Sequence, residues 1–526
     1  MHTIFSENTD LIRILSLKGG RTVKISLLSL KVTGTKLNNK DAPDGNYIDM
    51  GGNVNSIDRK ILYHLSVDRS FSYVCADLKK RESFLSVISE LTCDKNEIEY
   101  RQDIIRDFQK NPGLFEELAV LYERFEELRL SQKALRKNEY LLNANKADTA
   151  FASKNILQSQ AVCLKRALLF VKKFGELLSV RNLRSTGLIN FSSACREICE
   201  NPEFQNLLGF CGRYEQFSVN DFLDFKFSLN EHGHIEEYAL IDHGYIYVSD
   251  PELKKKGLPF FKKSEVNYRC ERVFPGKNDF YEGLLITALS DISGLFASLS
   301  EQIFDKFSAV YRELEFYFVA LKYIEALVQK NIPYCFPEIT ADRNVKVKSL
   351  YDLYLLMSTD NPGKIIPNDF CLSDSYNSVI VYGDNGSGKT SFLRSVGTMQ
   401  ILGQAGLPVP CECAKICLYS QIASQFSEAE KEFCGGNEAG RFEQETRELA
   451  ALADELSDGA FLLLNETFQS TAYEEGAQGL YNILEYFSDC NIRCVLVTHL
   501  RELEKMSDKD KCLLLYIENG HVIIKM

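Results

Sequence analysis

Residues Gly383-Asp384-Asn385-Gly386-Ser387-Gly388-Lys389-Thr390 carry the spacing GxxxxGK[ST]. Glycines at these positions let successive backbone N–H groups turn inward on phosphate oxygens, and a helix starting there adds positive potential. In such a loop Lys389 bridges the β and γ phosphates of ATP, Thr390 ligates Mg²⁺, and Ser391 follows in the first helical turn. Two further polar pairs end apolar runs: Asn465-Glu466 after AFLLL, and Thr498-His499 after CVLV. Phosphoryl transfer to water needs a carboxylate that orients the attacking molecule, which makes Glu466 the candidate general base. Asn465 stands where such sites usually carry Asp. Its amide can hydrogen-bond an ion-bound water but brings no charge, so ATP binding with slow hydrolysis is expected. An imidazole at His499 can reach the γ-phosphate or the water.

These side chains need a frame that brings strand ends together. From about Val345 the pattern runs strand, loop, helix, strand, as in a parallel α/β sheet, whose ligands bind at the carboxyl ends of the strands. SVIVY leads into the glycine-rich loop, SFLRSVGTMQIL follows as a helix, and Asn519-Gly520 in CLLLYIENGHVIIKM signals a hairpin. Upstream, helical periodicity dominates from about Leu78 to Ala194, broken at Asn111-Pro112-Gly113. Residues 233–275 switch to period two and turns, a β-rich insertion. Ile303, Phe307, Val310, Leu314, Tyr317, Leu321, Ile324 and Val328 then step alternately by 4 and 3, the seam of a long packed helix that Pro333 and Pro337 close. The expected organisation is α/β plus α. It comprises a small or irregular module of open fold over 1–75, a helical core or lever over 76–344 with the β-rich insertion near 205–278, and an α/β domain over 345–526.

A chain of 526 residues and 59.9 kDa exceeds one ordinary core, and 45% hydrophobic with 25% charged residues excludes collagen-like and disordered classes. The N-terminal stretch has no export signal and no apolar run of membrane-spanning length occurs, so a cytoplasmic chain without a membrane partner is expected. The 16 cysteines are scattered through apolar runs, which suits reduced thiols; Cys411, Cys413, Cys417 and Cys434 lack a CxxC pair and are not read as a zinc site. Net charge is −12, but residues 345–526 hold 15 Lys/Arg against 26 Asp/Glu, so the rest is close to neutral. Its clearest basic island contains Lys254, Lys255, Lys256, Lys262, Lys263, Arg269 and Arg272, a candidate phosphate-contacting surface.

The C-terminal third resembles the ATPase of the MutS superfamily. Pro367-Asn368-Asp369 is similar to that family's PND segment, GDNGSGKTS to its GPNxxGKST loop, QAGLPVP (404–410) to QxGxxVPA, LLLNETFQST to LLLDELGRGTS, and VTHLRELEKM to its ATHYHEL element. EIEYRQDIIRDFQKNPGLFEEL looks like the start of the MutS lever, and FVALKYIEALVQKNIPYCFPEI like the segment entering the ATPase, so the likeness covers most of 80–515. Phe5-Ser6-Glu7 and Phe115-Glu116-Glu117 match the letters of the mismatch-reading wedge but lie at the terminus and in a helical stretch. A short member without the mismatch-binding domain or a C-terminal Smr domain is expected. The Ser-Thr-Phe-x-x-Glu signature that completes a partner's site is altered near Gly440-Arg441-Phe442-Glu443-Gln444-Glu445.

The resemblance implies an ABC-like P-loop NTPase domain in which Pro367, Asn368, Asp369, Gly383, Asn385, Gly386, Ser387, Gly388, Lys389, Thr390 and Ser391 bind ATP, and Thr390 and Asn465 hold Mg²⁺. It also implies a homodimer through the ATPase domain, with lever helices and a clamp-like tip on DNA that ATP closes or reopens. With no mismatch reader, the DNA feature recognised is shape, as in branched or junction DNA, in repair or recombination control. Two rivals remain: an ATP-gated clamp on a ribosome or structured RNA, and a non-hydrolysing ATP-sensing scaffold.

Overall fold

The computed structural model describes residues 55–524 except 58, 145–149, 218–222, 230–234, 243–244, 249–267, 274–278, 427–438, 469–472 and 509–510, together with 16–17, 21–22 and 27. The backbone divides into two compact units, Met1–Ile25 with Asn111–Tyr311, and Ser26–Lys110 with Arg312–Met526.

In the first unit, helices Pro112–Ala144, Ala150–Ser179, Thr186–Glu200 and Pro202–Glu215 join the first part of the helix Asp279–Gln329. Their core is aromatic: Phe125 and Phe170 have ring centroids 4.3 Å apart, and Phe307 meets Phe170 edge-on at 87°. Pro202–Glu215 is a helix where the start of the β-rich insertion was expected. Asn201 caps it by accepting from the Glu203 N–H at 2.9 Å, Pro202 sits in its first turn, and Phe204, Leu207, Phe210, Cys211 and Tyr214 bury one stripe. The β segment therefore begins later. Strands Leu223–Leu229, Ile235–Asp242, Tyr245–Val248 and Tyr268–Val273 form an antiparallel sheet in which Leu223–Leu229 pairs with both Ile235–Asp242 and Tyr268–Val273.

The seam read along the long helix holds at first and then drifts. Ile303, Phe307, Val310, Leu314, Tyr317 and Ile324 are buried and Leu321 is half-buried, but Val328 is 56% exposed while Tyr323 and Leu327 are buried instead. A straight helix turns about 20° per heptad away from a strict seven-residue repeat, so the buried stripe leaves the seam by the last turns.

The second unit takes in more chain than the 345–526 domain. Strand Glu338–Ile339 pairs with Cys413–Ile416, and the helices Arg59–His64 and Val67–Val74, in the 1–75 segment whose fold the sequence leaves open, belong to this unit as well. Phe71 packs 4.5 Å from Phe84 and 5.4 Å from Tyr323. The composition shift near 345 marks charge, whereas the packing boundary follows apolar side chains on both sides of it. A four-stranded sheet runs in the order Asn368–Leu372, Val345–Leu350, Cys413–Ile416, Glu338–Ile339.

The six-stranded sheet runs Ile422–Phe426, Phe461–Asn465, Arg493–Val497, Ser378–Gly383, Cys512–Glu518, His521–Ile524, the first five parallel and the last antiparallel. Strands Phe461–Asn465 and Arg493–Val497 are buried along their whole length, as expected for parallel strands covered on both faces. Ile380, Leu462, Leu464, Cys494, Leu496 and Leu514 share the core beneath the helix Tyr473–Asp489. Register sets Phe426 beside Asn465, Asn465 beside Val497, and Val381 beside Val497, which brings the carboxyl ends of four strands to one level.

Candidate functional site

The loop 383–390 leaves the central strand Ser378–Gly383 and enters the helix Lys389–Gln404. Gly386 at φ 77° and Gly388 at φ 106° occupy the left-handed region that side chains disfavour. A Cβ at Gly383 would lie 2.6 Å from both the Ile517 carbonyl and Ser387 Oγ. Lys389 is buried and its Nζ donates to the carbonyls of Gly383 at 2.9 Å and Asp384 at 3.0 Å. Burial holds its amino group below the usual lysine range, against the opposite pull of Glu466 and Asp384. Ser387 Oγ is buried with no partner among the described residues, and Asn385 is exposed. A buried cation, an orphaned hydroxyl and an open helix N-terminus fit an anionic phosphate.

Beside it, the Thr390 hydroxyl donates to Asn465 Oδ1 at 3.2 Å. Two neutral oxygens suit a hard ion that keeps part of its water shell, as Mg²⁺ does. Glu466 follows on the same strand end at φ 57°, its N–H donating to the Val497 carbonyl at 2.9 Å. Its Oε1 lies 2.9 Å from His499 Nε2, and both side chains keep about a quarter of their surface in solvent (27% and 29%). The carboxylate and imidazole thus form a hydrogen-bonded pair at the mouth of the loop. The elements read from sequence, Lys389, Thr390, Asn465, Glu466 and His499, come together at the strand ends.

Asn368 and Asp369 act on backbone. Asn368 Nδ2 donates to the Gly520 carbonyl at 2.9 Å and its Oδ1 accepts from the Val522 N–H at 2.8 Å, while the Gly520 N–H donates to the Ser387 carbonyl at 3.0 Å. Asn368 therefore braces the hairpin turn that supports the loop. Asp369 accepts from the Ser349 N–H at 2.8 Å, Pro367 precedes this strand, and Ser391 accepts from Arg394 Nη2 at 3.2 Å. The link through Gly520 is not legible in the sequence, because hydrogen bonds between residues so far apart in the chain leave no local pattern.

Of the basic island, Lys254, Lys255, Lys256, Lys262 and Lys263 lie outside the described residues; Arg269 and Arg272 lie on the strand Tyr268–Val273. Glu445, in the altered signature segment, proves to be buried within this chain, where its Oε2 accepts from the Phe468 N–H at 2.9 Å. Among the described residues no helix is long and apolar enough to cross a membrane.

A family model described as MutS domain V matches residues 379–525. The DNA mismatch repair protein MutS of Microcystis aeruginosa is 27% identical over 277 residues, which cover 50% of this chain and 31% of that protein. Those of Thermosynechococcus vestitus and Fervidobacterium nodosum are 26% and 25% identical over 55% and 50% of this chain, and 33% and 32% of their own length. The matched region thus spans about a third of these relatives.

Proposed function

The chain belongs to the MutS superfamily, and on that premise we propose that it binds ATP with Mg²⁺, hydrolyses it slowly, and acts as an ATP-gated homodimeric clamp on branched or junction DNA. The observation that carries this reading is the convergence of Lys389, the Thr390–Asn465 pair and the Glu466–His499 pair at adjacent strand ends. Lys389 exchanges its two loop carbonyls for phosphate oxygens, and the backbone N–H groups of 386–390 complete the cradle. When bound, Mg²⁺ neutralises phosphate charge, with Thr390 and Asn465 on its coordination shell. Glu466 accepts the proton of the attacking water, and His499 holds the carboxylate in place through their 2.9 Å contact.

The neutral amide at Asn465 is the physical reason for slow turnover, since the ion's shell loses one negative charge. The first unit serves as the lever, with the sheet over 223–273 carrying the nucleic-acid contacts through Arg269, Arg272 and the lysines that precede them. Homology to proteins named for mismatch repair supports DNA over RNA as the polymer.

The test is steady-state ATP hydrolysis by wild type and Lys389→Ala with duplex, mismatched and four-way-junction DNA and structured RNA, at two salt concentrations. Hydrolysis lost in the variant and stimulated most by junction DNA is expected. Stimulation by RNA alone would replace the polymer, and tight ATP binding with no turnover would replace the enzyme with an ATP-sensing scaffold.

A further inference from the structure

We propose that Glu445 is a positioning residue for hydrolysis, locking the turn 466–468 so that Glu466 stays aimed at the nucleotide loop and at His499. This rests on the reading of Glu466 as general base. The turn is unusual in holding two non-glycine residues with positive φ, Glu466 at 57° and Phe468 at 65°. Such residues persist where the surroundings over-determine them. Three contacts do so here. The Glu466 N–H donates to the Val497 carbonyl at 2.9 Å, the Phe468 ring is buried against Gly479, and the Phe468 N–H donates to Glu445 Oε2 at 2.9 Å.

Of these, the Glu445 contact is the one that a side chain supplies to the turn's backbone. Glu445 lies on the helix Ala439–Glu455 and is 9% exposed, a placement that costs a carboxylate its hydration unless it accepts strong hydrogen bonds. Gln425, next to last on the neighbouring strand Ile422–Phe426, reaches the Glu445 carbonyl with its Nε2 at 3.4 Å and ties helix to sheet. Phe426 pairs with Asn465 of the adjacent strand Phe461–Asn465, so the strand that anchors Glu445 through Gln425 lies beside the one that ends in Asn465 and leads into the turn. The segment around Glu445, implied by resemblance to act across a dimer, thus has a role inside its own chain.

The experiment compares the full chain with Glu445→Met, which removes the acceptor at similar volume and also removes a buried charge, and Glu445→Gln, which restores an acceptor. Two readouts are taken: hydrogen exchange of the peptide containing Phe468, measured by mass spectrometry without nucleotide, and kcat and KM for ATP. Glu445→Met is expected to speed exchange at the turn and lower kcat about 10- to 100-fold with KM within about threefold, the scale set by a small misplacement of a reacting group. Glu445→Gln should return both to within about threefold of wild type. Unchanged exchange or unchanged kcat in Glu445→Met would overturn the proposal, as would a Gln variant as slow as Met. A wild type without turnover would remove the ATPase reading, and the exchange result would still decide whether Glu445 holds the turn.

Discussion

Replacing Asn465 with Asp tests the proposal that this side chain faces a Mg²⁺ ion. The Thr390 hydroxyl donates to Asn465 Oδ1 at 3.2 Å and Asn465 is 9% exposed, so the new carboxylate keeps the same shape and acceptor but becomes a buried charge. Without the ion this costs several kcal/mol of desolvation. With it, each pair of unit charges about 4 Å apart at an effective dielectric of about 20 attracts by about 4 kcal/mol, and Mg²⁺ carries two charges. That attraction, about 8 kcal/mol for the two charges, is gained only when the ion binds and is cut by the ion's retained water and the phosphate charges; a residual of about 1.4–2.8 kcal/mol is about 10- to 100-fold in affinity. Hydrolysis by wild type and Asn465→Asp is measured across a Mg²⁺ titration, alongside ATP affinity and thermal unfolding in EDTA. The half-saturating Mg²⁺ concentration should fall at least about tenfold and kcat rise, ATP affinity should stay similar, and the metal-free protein should unfold at a lower temperature. A lowered unfolding temperature with an unchanged Mg²⁺ dependence would refute the reasoning, because the charge would then be buried without facing the ion.

Glu466→Gln keeps the shape of the general base but cannot take a proton, so kcat should fall about 10²- to 10⁴-fold while ATP binding, followed by calorimetry, persists; intact hydrolysis would dismiss Glu466 from that role. Gly406 has φ 83° and a Cβ there would stand 2.8 Å from Arg101 Cβ and 3.2 Å from the Ile98 carbonyl, so Gly406→Ala should cost about 2–4 kcal/mol in denaturant unfolding, from strain plus overpacking. Glu315 is buried, and desolvation holds its carboxyl above the usual range despite Ser83, Lys79 and Lys80 pulling it down. A raised carboxyl contributes stability in full below the unfolded value of about 4.3 and loses it as pH rises through the folded value. Glu315→Gln should therefore gain on wild type in denaturant midpoint from acid to neutral pH, and a pH-independent difference would contradict the assignment.

Much of the site was legible because its signals are local. GDNGSGKT needs only its own glycines and a flanking strand and helix, and AFLLLN and RCVLV are continuous apolar runs of strand length. Elsewhere the expectation lost to packing. The β-rich insertion expected from near 205 yielded there to a helix, since Asn201 and Pro202 start one and Phe204, Leu207, Phe210 and Tyr214 find a core. The strict heptad seam yielded at Val328 to the natural turn of the helix.

By itself, then, the sequence determined which side chains were available for chemistry: a glycine-rich loop with Lys389 and Thr390, a strand-end Asn465-Glu466, and a strand-end His499. Only the tertiary structure decided which of these meet. Parallel ladder pairing sets Gly383 opposite Ile517 and Asn465 opposite Val497, and hydrogen bonds between strands far apart in the chain have no periodicity to read beforehand. The same holds for the contacts that steady the site. Asn368 reaches Gly520 and Glu445 reaches the Phe468 N–H because a buried polar group must find a partner wherever the fold puts one, and that place is known only once the chain has closed around it.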